Sequence, residues 1–344
     1  MKGLLIVLAL SLVGTCAQKR HSEKLEDVKN NISFENTDKI DEFANTITAE
    51  ELKELVYQLA SEEFEGRKTG ELGHNKACRY LKDYYLSQNI STPLGNDNYF
   101  QNIPKSYFAE GLNSSQNVVA FIEGSEFPNE VLIISGHSDH LGIINDVMNL
   151  GADDNGSGTS AILEIAEAFK LAKEQGFGPK RSILFLHLTG EEEGLYGSRF
   201  YVEHPIFSLN QTIANLNIDM IGRIDDDHIN NPNYIYLIGS DRISTELHYI
   251  SERANEEFTN LELDYKFNDE NDPNRYYYRS DHYNFAQYGI PVIFYFNGEH
   301  KDYHLPSDTA EKINYDILEK RTKLIFTTAW YIVNGPNRLN PAKV

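Results

Sequence analysis

Residues 131–140 read VLIISGHSDH, an apolar run that leads directly into a turn with two histidines and an aspartate. A short, continuous apolar run predicts a strand that is buried on both faces, as in a parallel sheet covered by helices. The polar side chains follow at the point where this strand ends. The segment therefore predicts an α/β fold whose chemistry lies at the carboxyl end of the strand.

Other predicted strands and helices alternate along the chain around this segment. We predict further strands at 118–122, 183–188, 214–220, 234–238 and 290–296, and helices at 72–86, 159–170, 243–258 and 310–331. An earlier helix is indicated by Leu52, Leu55, Val56 and Leu59, which recur at intervals of three and four. Together these elements predict an α/β fold in a single domain. Its central sheet is mixed, mostly parallel and twisted, with helices on both faces and an N-terminal helical extension.

Size and charge restrict the class of protein. The chain has 344 residues, of which 40% are hydrophobic, and this is enough to build a substantial core. The formal net charge is −21. Nucleic acids and anionic membrane surfaces attract an excess of lysine and arginine, so this charge argues against both as partners.

The N-terminus has the pattern of an export signal. Lys2 precedes an apolar run at residues 3–13, which is too short to cross a bilayer but typical of a secretory signal. We predict a signal peptide at residues 1–17 and an exported protein, either periplasmic, secreted or anchored in the outer membrane. Cys16 follows small residues and resembles a bacterial lipoprotein site, so a signal at residues 1–15 and a lipid anchor at Cys16 are the alternative.

The remaining chain divides into three predicted parts. Residues 18–45 are polar and charged and are predicted to form a tether, residues 46–335 form the globular domain, and residues 336–344 form a tail. The chain has only two cysteines, Cys16 and Cys78, which excludes a disulfide framework.

Four further clusters of acidic, histidine and glycine residues resemble the turn after the first strand. Three follow predicted strands and one precedes a predicted helix. Because ligands bind beyond the carboxyl ends of parallel strands, we expect all five clusters to form one site. The four further clusters are GADDNGSG at 151–158, TGEEEG at 189–194, DMIG at 219–222 and YHLPSD at 303–308.

The spacing within the clusters indicates metal chemistry. In an extended segment His137 and Asp139 point to the same side, so Asp139 is predicted to accept the imidazole N–H that is not used for a metal. Glu191 and Glu192 are adjacent and cannot face one target along the same vector. A turn there would direct one carboxylate at a metal and the other at a water molecule. His140 is predicted to support the site without binding the metal.

The order of these clusters resembles the zinc exopeptidase family that includes bacterial leucyl aminopeptidases and aminopeptidase Y. The resemblance extends from about Leu52 to Tyr331 and includes the segments EGR at 65–67 and RSDH at 279–282. It implies that residues 46–335 are a catalytic domain with two zinc ions. The implied ligands are His137 and Asp219 for one ion, Glu192 and His304 for the other, and Asp154, which bridges both and typically precedes a cis peptide bond.

The resemblance also implies the catalytic roles around the two ions. Glu191 would be the general base, Asp139 would assist catalysis as the partner of His137, and Asp308 would be the partner of His304. Two zinc ions carry four positive charges, which three ligand carboxylates and a bridging hydroxide would neutralise. Bound zinc lowers the pKa of water, so hydroxide exists at neutral pH.

The predicted function is that of an exported two-zinc aminopeptidase acting on peptides with a free N-terminus. A carboxypeptidase-like peptidase is an alternative, because Arg223, Arg275 and Arg279 lie in loops near the site. A glutaminyl cyclase is another, although such cyclases use one zinc and usually lack the complete ligand set. A non-catalytic binding module is the third alternative, and the presence of Glu191 argues against it.

Overall fold

A computed structural model describes residues 22–343. Its strands are β1 (Phe100–Ile103), β2 (Ser115–Ile122), β3 (Phe127–His137), β4 (Gly142–Ile144), β5 (Val147–Asn149), β6 (Arg181–Leu188), β7 (Thr212–Ile218), β8 (Tyr234–Ile238), β9 (Glu262–Asp264) and β10 (Val292–Phe296). Its helices are α1 (22–30), α2 (Thr37–Ala44), α3 (Ala49–Leu59), α4 (Leu72–Ser87), α5 (Gly158–Glu174), α6 (Tyr196–Glu203), α7 (Thr245–Ala254), α8 (His282–Ala286) and α9 (Tyr315–Asn334). The predicted signal peptide and Cys16 lie outside the described residues.

Eight strands form one sheet in the order β1-β2-β6-β3-β7-β10-β8-β9, and β4 and β5 form a separate hairpin. The central neighbours β6, β3, β7 and β10 run parallel, whereas β2 and β10 pair antiparallel with β6 and β8, respectively. The predicted mixed, mostly parallel sheet is confirmed. Because four adjacent strands point the same way, the turns after them meet at one edge of the sheet.

Both faces of the sheet are buried, which explains the unbroken apolar runs. Leu132 and Ile134 pack into the cluster that contains α3, α4, α5, α7 and α9. Val131 and Ile133 point the other way, into a smaller cluster with side chains of α6 and α8. Helices therefore cover both faces, as predicted. Within residues 22–343, none of the helices has the length and apolar character that crossing a bilayer requires.

The predicted polar tether at residues 18–45 is wrong from residue 31 onward. Helix α2 buries Ile40 and Phe43 completely, and the Phe43 ring stacks on Trp330 of α9 at 5.7 Å between centroids. These apolar side chains are few, but each is placed where it covers the sheet-facing helices. The predicted tail is also packed in part, since Leu339 is buried.

Helix α5 carries a buried carboxyl group that makes stability depend on pH. Burial raises the pKa of Glu164 to about 8, and the nearby carboxylates of Glu51 and Glu167 add to this rise. The folded state therefore binds this proton more tightly than the unfolded state does. This contribution to stability is complete below the ordinary glutamate pKa and is lost as the pH rises towards 8.

We expect Glu164→Gln to remove the cost of burying an ionised carboxylate at high pH. The variant should melt at a higher temperature than the wild type at pH 8, while the two proteins should melt alike at pH 4. Thermal unfolding at both pH values measures the difference. A variant that melts lower than the wild type at pH 8 would contradict the assignment.

Candidate metal centre

The first ligand group lies where β3 and β7 end. His137 is buried, and its Nδ1 lies 3.1 Å from the backbone carbonyl oxygen of Asp139. This contact favours the tautomer in which Nε2 is free to bind a metal. His137 Nε2 lies 3.2 Å from Asp154 Oδ1 and 3.3 Å from Asp219 Oδ1. Three predicted ligands therefore converge on one point.

The second ligand group lies beside the first and shares Asp154. His304 Nε2 is 3.1 Å from Asp154 Oδ2 and 3.0 Å from Glu192 Oε2. His304 adopts φ 56° in the loop after β10, and its ring stacks on Tyr303. One oxygen of Asp154 thus faces each group, which is the arrangement that a bridging carboxylate needs.

These residues fit zinc in both geometry and chemistry. Tetrahedral zinc with bonds of about 2.0–2.2 Å to nitrogen and oxygen separates its ligand atoms by about 3.3 Å. The four contacts of His137 and His304 with the carboxylates, at 3.0–3.3 Å, match this spacing. Asp154 Oδ2 is also buried without a hydrogen-bond partner. A buried carboxylate oxygen without a donor indicates a position where a cation would bind.

Asp308 contacts the backbone at the shared ligand, Asp154, and not His304, which was its predicted partner. Its carboxylate accepts hydrogen bonds from the backbone N–H groups of Asp153 and Asp154, at 3.0–3.1 Å. The predicted hydrogen bond with His304 is therefore wrong. The peptide bond between Asp154 and Asn155 is cis, as the family resemblance implies.

The predicted hydrogen bond from the His137 ring to the Asp139 carboxylate is also absent, although the two groups lie close together. The nearest carboxylate oxygen of Asp139 lies 3.8 Å from His137 Nδ1, beyond hydrogen-bond distance, and the backbone carbonyl takes its place. The carboxylate instead accepts hydrogen bonds from Thr69 Oγ1 at 2.7 Å and from the backbone N–H of Glu191 at 3.3 Å. Burial raises the pKa of Asp139 to about 6. Asp139 thus holds the loop that carries Glu191.

The two adjacent glutamates face different partners, as predicted. Glu192 points at the second ligand group, whereas Glu191 lines the cavity in front of both groups. Burial raises the pKa of Glu191 well above its usual range, the positive field of His137 opposes this rise, and the carboxylates of Asp219 and Glu192 add to it. Cations held by the neighbouring ligands would oppose this rise, because a nearby positive charge favours the ionised carboxylate.

Ser280 contacts a ligand although the sequence did not assign it a role. Its hydroxyl donates to Asp219 Oδ2 at 2.6 Å and accepts from Asn217 Nδ2 at 2.9 Å. Ser280 belongs to the RSDH segment that marked the family resemblance. The pairing joins residues 61 positions apart, which only the fold reveals.

Arg67, in the EGR segment, holds two of the ligand loops together. Its buried guanidinium donates to the carbonyl oxygens of Ser138, Leu150 and Gly151 at 2.8–3.0 Å. Burial lowers the pKa of Arg67 to about 10, although the carboxylates around the centre favour its charged form. Arg67 thus ties the loop after β3 to the loop before Asp154.

A small cavity lies at the ligands and is lined in part by apolar side chains. Its volume is about 30 Å³, and Met220, Phe294 and Phe296 form its wall. One water molecule needs about 10–15 Å³ of such space, so the cavity has room for about two or three water molecules. At the rim, Arg279 forms an ion pair with Glu299 at 3.0 Å.

Zinc held by imidazole and carboxylate ligands beside a free carboxylate is the means by which metalloproteases activate water. The fold and the site together define a metallopeptidase. The sequence model of Peptidase family M28 matches residues 117–329, well over half of the chain, and the chain belongs to that family. The predicted membership of the zinc exopeptidases is confirmed.

Individual relatives agree with this assignment. A probable zinc metalloprotease of Pyricularia oryzae is 28% identical over 280 residues, covering 66% of this chain and 52% of its own length. The chain thus spans about half the length of this curated relative. The crystal structure of the LapA aminopeptidase of Legionella pneumophila matches with a TM-score of 0.70 and 20% identity, covering 89% of this chain and 77% of LapA.

The same fold also occurs in an enzyme with a different reaction. The glutaminyl cyclase of Porphyromonas gingivalis matches with a TM-score of 0.62 and 16% identity, covering 82% of this chain and 97% of the cyclase. At these identities the likeness establishes the fold alone. The reaction has to be argued from the site.

Proposed function

We propose that this protein is a two-zinc aminopeptidase that removes N-terminal residues from peptides. The observation that carries the proposal is Asp154, whose two oxygens face separate ligand groups at 3.2 Å and 3.1 Å. His137 and Asp219 would complete one zinc site, and Glu192 and His304 the other. Zinc ions held there would lower the pKa of water and polarise the scissile carbonyl group.

Glu191 is the residue proposed to move protons. It lines the cavity in front of the ligands, so a water molecule at the ligands would lie within its reach. Glu191 would take the proton of this water and deliver it to the amine that leaves when the peptide bond breaks. Asp139 fixes the Glu191 backbone and in this way keeps the carboxylate beside the reacting atoms.

The cavity suits the first residue of a peptide. A protonated α-amine would be attracted by Glu191 and Asp219, which both line the cavity. The side chain of that residue would point at Met220, Phe294 and Phe296, and the small volume favours an uncharged side chain of modest size.

Carboxypeptidase action is less well supported, because the three nearby arginines already have partners. Arg223 donates to Asp302 at 2.8 Å, Arg275 stacks on the Tyr278 ring and Arg279 pairs with Glu299. Only Arg279 lines the cavity. A substrate carboxylate would have to displace Glu299 from it. The complete set of five ligands likewise argues against a one-zinc glutaminyl cyclase.

A peptide panel tests the proposed function. We expect the zinc-loaded protein to release the first residue from peptides with a free N-terminus and an alanine or leucine there, and to leave N-acetylated versions uncut. Mass spectrometry of the products measures both. Release from the C-terminus would favour the carboxypeptidase, and conversion of N-terminal glutamine to a ring would favour the cyclase. Either result would overturn the proposal.

We also propose that the protein is exported, on the basis of the apolar run that follows Lys2. Fractionation of cells that express the full chain, with N-terminal sequencing of the mature protein, tests this proposal and separates cleavage near residue 17 from lipidation at Cys16.

A further inference from the structure

We infer that His140 is a positioning residue, which holds Glu192 in the orientation that the second zinc ion requires. The inference rests on the proposed function, because it concerns one of the two proposed zinc sites. His140 follows the first ligand, His137, by three residues, and its side chain is fully buried.

The two oxygens of Glu192 have different partners. Glu192 Oε2 faces the proposed ligand His304 at 3.0 Å, whereas Glu192 Oε1 lies 2.7 Å from His140 Nδ1. The shorter distance is that of a charge-assisted hydrogen bond and is well below the spacing of about 3.3 Å between two ligands of one zinc ion. His140 Nδ1 is also 3.7 Å from Asp154 Oδ2, farther than His304 is. The geometry thus assigns Oε2 to the metal and Oε1 to His140.

The surroundings of the other ring nitrogen, Nε2, indicate that His140 Nδ1 is a hydrogen-bond donor and not a metal ligand. A histidine that binds a metal almost always donates its second ring N–H to an acceptor, as His137 does to the Asp139 carbonyl group. His140 Nε2 is buried and has no hydrogen-bond partner. If Nδ1 bound the metal, the proton would have to sit on Nε2, where a buried donor without an acceptor is unfavourable. The proton therefore belongs on Nδ1 and points at Glu192.

The surroundings hold the His140 ring in place. A Cβ atom at Gly151 would lie 2.5 Å from the ring carbons Cγ and Cδ2, so only glycine leaves room for the ring. The backbone N–H of His140 donates to the carbonyl oxygen of Arg67 at 3.1 Å. With both backbone and ring fixed, His140 can keep Glu192 from rotating or from binding the ion through both oxygens.

The test compares zinc binding by the wild type, His140→Ala and His140→Asn. Each metal-free protein is titrated with zinc in competition with a chromophoric chelator, which yields two dissociation constants without any activity assay. We expect His140→Ala to weaken one of the two binding steps about 10- to 100-fold, the usual effect of losing such a partner, and to leave the other step unchanged. His140→Asn should bind nearly as the wild type, because the asparagine Nδ2 donor lies where the histidine Nδ1 donor lies.

His187→Asn is the matched control. His187 is likewise buried, with one ring nitrogen 2.7 Å from Tyr85 Oη and the other unpaired, but it lies away from the ligands on β6. Its variant should keep both wild-type dissociation constants.

Three results would overturn the inference. If His140→Asn binds as weakly as His140→Ala, the imidazole itself is a ligand. If His140→Ala binds zinc like the wild type, Glu192 needs no positioning. If metal-free His140→Ala melts much lower and both binding steps weaken together, the role is structural. A wild-type protein that binds fewer than two zinc ions would contradict the proposed function itself. That result is distinguishable from failure of the inference, because it does not depend on any variant.

Discussion

Glu191→Gln should bind as much zinc as the wild type and yet cleave peptides at least about a hundredfold more slowly. The amide has nearly the shape of the carboxylate but cannot accept and return a proton. Glu191 is not one of the five proposed ligands, so its loss should leave the metals in place. Metal analysis and turnover, measured on the same sample, test both halves of the prediction.

Glu193→Gln is the control for this variant. Glu193 lies two residues further along the same loop, where it is exposed and 3.8 Å from Lys68 Nζ. Its variant should keep wild-type turnover to within about twofold, since exposed ion pairs contribute little. Normal turnover in Glu191→Gln would remove the general-base assignment.

Asp154→Asn should lose both zinc ions. An amide offers one neutral oxygen where the carboxylate offers two charged ones, so neither ligand group keeps its shared member. The change also removes one of the three ligand carboxylates, so the two carboxylates and two imidazoles that remain carry less of the negative charge that would hold two cations. We therefore expect the zinc content after dialysis to fall from two ions per chain to nearly none.

His304→Ala provides the comparison, because this histidine contacts the second ligand group alone. It should lose one ion and keep the one near His137. Zinc bound in equal amounts by Asp154→Asn and His304→Ala would mean that Asp154 is not shared between two ions. Circular dichroism of each metal-free variant checks that the fold is intact.

The convergence of the proposed ligands could be predicted because the strands that precede them have recognisable apolar runs. The run at 131–135 is apolar on both faces, and the strand it forms is flanked on both sides by parallel neighbours. Once the parallel order is known, the turns that contain His137, Glu192, Asp219 and His304 have to lie at one edge. The structure brings all of these ligands and Asp154 within contact distance.

Contacts between distant loops could not be predicted in the same way. Asp139 and Asp308 were expected to bond His137 and His304, respectively, but each accepts a backbone N–H from another loop. The spacing of side chains along one strand contains no information about the backbone that the fold brings opposite it. His140 was predicted to support the site, but its contact with Glu192 joins residues that are 52 positions apart.

Short elements with few apolar residues were missed for a related reason. Strands β1 and β9 have four and three residues, which is too short for an alternating pattern to emerge. Helix α2 was included in a polar tether because charged residues outnumber its apolar ones. Its buried Ile40 and Phe43 gain their stability from α9, at the other end of the chain.

The most direct test of the account is anomalous X-ray scattering at the zinc absorption edge from crystals of the zinc-loaded protein. The account predicts two peaks about 3.5 Å apart on either side of the Asp154 carboxylate, one next to His137 and the other next to His304. A single peak, or two peaks that do not share Asp154, would contradict it.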